Sequence, residues 1–192
     1  MLNFFRFGSE AKAAIGRWFG VGSEQRMKVR QIGVAQCFNP DGSLAWESGL
    51  HVEGKNGVTT AGINNLLNVY FGATSKAAAW YMGLISNGSY SALSASDTIS
   101  SHAGWIEETS NYSQSTRPQW TPGSASGGAV SNSSSVDFTI TGSVTVKGVF
   151  IVNENTKGGT TGTLWATALF TSGDQSLVNG QTLKVTYTLS AT

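Results

Sequence analysis

The sequence predicts a mainly β fold: a single β-sandwich of jelly-roll type, with one body helix and an N-terminal helical arm. Three observations predict it. Short runs alternate apolar with polar residues, most plainly Val136/Phe138/Ile140 and Leu183/Val185/Tyr187/Leu189, which is the period of a half-buried strand. Clusters of Gly, Ser and Thr separate these runs, while charged residues make up only 12% of the chain, about half the usual share. Residues 59–71 break the pattern with apolar residues three and four apart, the period of a helix. Six or more short strands in 192 residues fit one core, divided here into an arm over 1–26 and a sandwich body over 27–192.

The arm differs from the body in chemistry. Among the first thirty residues six basic side chains stand against Glu10 and Glu24, a net +4, and the remaining six basic and nine acidic give −3. Phe4, Phe5, Phe7, Ala11, Ala14, Ile15, Trp18 and Phe19 draw an apolar stripe, so a helix is expected near 10–19. Ser9 can cap it, and Gly20 and Gly22 stop it. A helix this short is marginal alone in water, so it needs a surface to pack on.

In the body, residues 27–38 read as a strand, Asn39-Pro40-Asp41-Gly42 as a turn, and 43–47 as the returning strand. In the helix at 59–71, Thr59 or Thr60 is the cap and Ile63, Leu66, Leu67, Tyr70 and Phe71 form the apolar face. Further strands are expected at 80–85, 103–107, 136–140, 144–152, 163–170 and 182–189. The connections 86–101 and 121–135 read as long polar linkers, the second with an edge strand near 127–131.

Composition excludes several functions. Only the short arm is basic, so no face for nucleic acid is expected. No run of about 18 apolar residues exists to span a membrane, and charges interrupt the N-terminal apolar stretch where a secretory signal would need a uniform core. Cys37 is the single cysteine and reads as a small buried residue of the first strand. With His51 and His102 the only histidines, no metal-ligand spacing arises, and no metal or cofactor is expected. Glu107 and Glu108 are adjacent in an expected strand, so their side chains point to opposite faces and cannot flank one bond. Lys157-Gly158-Gly159-Thr160-Thr161-Gly162 lacks the order of a phosphate loop and reads as a hairpin connection. No catalytic residues are assigned, and the chain is not expected to be an enzyme.

Candidate binding residues lie elsewhere. Trp80 and Trp165, inside apolar runs, are expected in the core. Trp120, between Pro118 and Pro122, is expected to be exposed and is the candidate glycan contact. In the arm, Phe4, Phe7, Trp18 and Phe19 are candidate anchors for a partner groove, with Arg6, Lys12 and Arg17 meeting acidic rims. Packing on the chain's own sandwich is the alternative, and a membrane surface ranks third.

The segments VTTAGINNLLNVYF, WYMGLIS, DTISSHAGWIEETSNYSQSTRPQW and VSNSSSVDFTITGSVTVKGVFIVNENTKGGTTGTLWATALF resemble a group of virion proteins of tailed bacteriophages. These are small β proteins of the head decoration, cement or fibre-like kind. The resemblance covers roughly residues 30–192, and SHAGWIE, RPQW and KGGTTGTLWATA are its most specific pieces. It implies a non-enzymatic structural protein on the capsid exterior, docked on the major capsid protein and assembled as a homo-oligomer, trimer or dimer. The alternative it implies is a tail or adsorption component touching a host glycan.

Overall fold

The computed structural model describes residues 29–50 and 57–191. The helix expected at 10–19 lies outside them. In chain order the elements are β1 (Val29–Phe38), β2 (Leu44–Gly49), α1 (Thr60–Phe71), β3 (Trp80–Ser86), β4 (Glu107–Glu108) and β5 (Gln119–Trp120). Then follow β6 (Ala129–Ser131), β7 (Val136–Thr139), β8 (Val144–Val152), β9 (Leu164–Leu169), β10 (Gln175–Leu177) and β11 (Thr182–Ala191). They form two antiparallel sheets. The first runs β2-β1-β11, with β6 and β7 sharing the far edge of β11. In the second, β3 and β8 are central, β4 and β5 line the outer edge of β3, and β9 and β10 that of β8.

Alternation decides which faces meet. Along β1, Gln31, Gly33, Ala35 and Cys37 are buried while Arg30, Ile32 and Val34 face solvent. Its ten-residue ladder with β11, from Val29↔Ala191 to Phe38↔Thr182, puts Leu183, Val185 and Tyr187 on the same inner side. These meet Met82, Leu84, Val149, Ile151, Ala166 and Ala168 of the second sheet, so the main core is the space between the sheets. Gln31 ties the layers: its amide donates to the Thr167 carbonyl at 2.5 Å, and its oxygen accepts from the Tyr187 hydroxyl.

The second sheet is buried on both faces. On its far side Ile85, Phe150, Val152 and Leu164 pack with Ile99 and Trp105. The cover is the stretch expected to be a polar linker. Trp105 donates its indole N–H to Asp97 at 2.9 Å and stacks on His102 at 4.0 Å, and the Lys147 ammonium lies 4.5 Å from the Tyr90 ring. The strand expected at 103–107 is corrected accordingly: only Glu107–Glu108 pair as a strand. Residues 102–105 instead form a turn, with Trp105 N bonded to the His102 carbonyl, because Trp105 has to reach the sheet face.

The helix is found with Thr59 as its cap; the Thr59 hydroxyl accepts from Gly62 N at 3.0 Å and donates to the Leu164 carbonyl at 2.5 Å. Its predicted apolar face is rotated. Gly62 sits against the Trp165 carbonyl, where a Cβ would come within 2.4 Å, and this contact turns Leu66 and Val69 toward the sandwich. Leu67, Tyr70 and Phe71 are left 43%, 78% and 78% exposed. The turn at 39–42 closes with Gly42 N bonded to the Asn39 carbonyl at 2.9 Å, and residues 157–162 connect β8 to β9 as a hairpin. β10 was not expected; its three residues add to β8 in register from Gln175↔Val146 to Leu177↔Val144.

Candidate docking surfaces

Phe4, Arg6, Phe7, Lys12, Arg17, Trp18 and Phe19 lie outside the described residues, as does His51. The described surface offers three features.

The first is a loop clamp around Arg117. Its guanidinium is buried and bidentate on Glu107, with Nε at 2.8 Å and Nη2 at 2.7 Å. It also donates to the Glu154 carbonyl at 2.9 Å and the Gly159 carbonyl at 3.1 Å, and lies 5.2 Å from the centre of the Phe150 ring. Gly158 N donates to Glu107 at 2.7 Å. Beside this, the Lys157 ammonium donates to the Thr109 and Tyr112 carbonyls and sits 3.7 Å from the centre of the Tyr112 ring. Burial lowers the Lys157 pKa, with Glu107 and Glu108 opposing, and burial raises that of the Tyr112 phenol.

Glu108 turns the other way and accepts from Ser110 N, Asn111 N and the Asn111 amide. The two carboxylates therefore point apart, and both are engaged in fixing loops. Sequence reasoning missed Arg117. The available signal was an arginine beside a proline, close to adjacent glutamates in a chain otherwise poor in charge.

The second feature is an apolar groove of about 310 Å³ beside α1, with Leu66, Val69, Trp80, Val130, Trp165 and Leu189 among its walls. Trp165 and Trp80 meet edge-to-face at 5.6 Å, and both belong with the core as expected. The Trp165 indole N–H is buried without an acceptor. Trp120 corrects the prediction. It is 4% exposed, donates its indole N–H to the Tyr187 carbonyl at 3.3 Å, and meets the Tyr187 ring edge-on. The flanking prolines do keep the stretch short, but Trp120 still pairs with Trp80 at the edge of β3, which turns its ring inward. A buried ring cannot serve as a glycan-stacking platform.

The third is exposed apolar surface: the Tyr70–Phe71 pair, in edge contact at 4.8 Å at the end of α1, and Ile32, Val34 and Leu44. Ile32 and Val34 share the outer face of the first sheet. Cys37 lies under that sheet, fully buried as predicted, and burial pushes its thiol up to about 11. The native protein is expected to leave Cys37 unmodified by a thiol reagent at pH 8, with one equivalent reacting after denaturation. Fast reaction in buffer would show that the β1–β11 ladder opens readily.

No protein-family model matches the chain, and no curated protein shows significant similarity to it.

Proposed function

We propose that this is a non-enzymatic structural protein of a bacteriophage virion, a capsid decoration (cement) protein that docks on the major capsid protein shell and stabilises it. The resemblance of residues 30–192 to phage head and tail components suggests the class. The structural observation that carries the reading is exposed apolar surface on a tightly cross-tied body, chiefly the Tyr70–Phe71 pair at 78% exposure each. Several charges of the body are turned on one another, in the pairs Arg117–Glu107, Lys147–Asp174 and Lys184–Asp137. Contact with neighbours then falls to apolar surface and to the cationic arm.

In this reading the arm, residues 1–26, supplies the tether: Phe4, Phe7, Trp18 and Phe19 as anchors, Arg6, Lys12 and Arg17 for acidic rims. The body assembles as a homo-oligomer, trimer or dimer, on the capsid exterior. Joining several copies to several shell subunits raises avidity without tighter single contacts. The reading includes a jelly-roll winding. It is supported by four crossings between the sheets, at β2–β3, β5–β6, β7–β8 and β10–β11, while the hairpins β1–β2 and β8–β9 stay within one sheet. The tail-adsorption alternative loses its anchor, because Trp120 is buried.

The test is copy number in purified virions, measured by quantitative mass spectrometry against the major capsid protein. Hundreds of copies in fixed ratio to the shell are expected. A handful per particle would place the protein at the tail or a vertex and overturn the cement role, and absence from virions would sink the whole reading.

A further inference from the structure

We infer that in the free protein the groove beside α1 is the seat of the chain's own N-terminal segment, residues 10–19, docked through the stripe Ala11, Ile15, Trp18 and Phe19. The groove is open, almost wholly apolar and tryptophan-walled. Its occupant should therefore bring apolar side chains, and the stripe of residues 10–19 is the strongest apolar pattern in the chain before Val29.

Strand register selects which peptide. Leu189, a groove wall, is paired directly with Gln31, and β1 starts two residues earlier at Val29, opposite Ala191. The chain before Val29 therefore leaves the body beside the groove. Nine residues, 20–28, separate Phe19 from Val29; extended, they reach about 30 Å, ample to lay residues 10–19 back over the opening. So short a tether holds the segment at an effective concentration in the millimolar range, ahead of any free partner.

The chemistry also matches. On a helix, Arg17 falls away from the Ala11–Ile15–Trp18–Phe19 stripe, while Lys12, seven residues before Phe19, borders it, and its long stem can carry the ammonium past the rim and away from Lys76. A ten-residue helix that is marginal alone would gain the apolar support it lacks. Phe4, Arg6 and Phe7 remain outside the seat, and so does Arg17. The inference concerns the free protein and does not depend on the capsid reading; if both hold, Trp18 and Phe19 leave the groove when the arm docks on the shell.

The test is amide hydrogen exchange by mass spectrometry on the full-length chain in solution, with no virion present. Residues 10–19 are expected to exchange at least about tenfold more slowly than in an isolated peptide of the same sequence, to the same extent over a hundredfold range of protein concentration. That protection should vanish in Trp18→Ala, and in Leu66→Glu, while the β8 amides stay protected. Should Leu66→Glu unfold the body, Trp18→Ala still decides, since its change lies in the arm. Unprotected amides in the wild-type chain, or protection that survives Trp18→Ala, would overturn the inference. Protection that rises with concentration would also overturn it, by placing the arm in the groove of a second copy.

Discussion

Replacing Arg117 with methionine is expected to lower the stability of the body by about 3–5 kcal/mol, read as a fall in the denaturant midpoint at unchanged slope. Arg117 is fully buried and Glu107 nearly so, with side-chain exposures of 0% and 6%. Removing the guanidinium leaves a buried carboxylate whose remaining bond is to Gly158 N, and it frees the Glu154 and Gly159 carbonyls together. Most of the loss is the orphaned charge rather than the net worth of the pair. Adding Glu107→Leu to Arg117→Met should therefore recover a large part of the deficit. A single-variant loss below about 1 kcal/mol would mean that Glu107 escapes the penalty, by reaching water or by taking up a proton, and that the clamp contributes little. By contrast, the Lys184–Asp137 pair, 40% exposed on each side, should contribute well under 1 kcal/mol.

Gly148→Ala should be at least as damaging. β8 is bonded on both sides, and a Cβ at residue 148 would lie 1.9 Å from the Ala168 carbonyl oxygen and 2.7 Å from the Leu169 Cα. Both are backbone atoms of β9 and cannot swing away as a side chain would. Relief requires parting β8 from β9 or shifting β8 against β3, and either disturbs both cores. A loss of about 3 kcal/mol or more, or failure to accumulate as soluble protein, is the expected outcome. Gly57→Ala is the control, since a Cβ there meets nothing within 4 Å. Equal midpoints for the two variants would show that the sheet accommodates the methyl group.

Much of the fold was legible because its signals are local. Thr59 caps the helix through a hydroxyl that accepts from an N–H three residues on, and the turn after Asn39 closes within four residues. Period-two alternation located β7, β8 and β11 to within two residues at each end. The buried Cys37 and the hairpin after Lys157 follow from the same short-range reasoning. The arm's aromatic and cationic character is likewise a property of the chain, and the docking role proposed for it rests on that character.

What escaped is what distant segments decide. Tyr70 and Phe71 satisfy the helical period as well as Leu66 does, but the face that packs was chosen by Gly62 meeting a carbonyl a hundred residues away. Trp120 sits between prolines in a stretch that reads as surface, yet β3 and Tyr187 close around its ring. Residues 86–101 look polar because few apolar side chains, Ile99 among them, are enough to cover one sheet face. Arg117 draws its partners from positions 107, 154 and 159, which only the folded chain assembles. By itself the sequence determined the longer strands, the body helix and its cap, because periodicity and caps act over a few residues. Only the tertiary structure decided which faces are buried, which charges pair and where the groove opens, because burial depends on the surface that another segment brings.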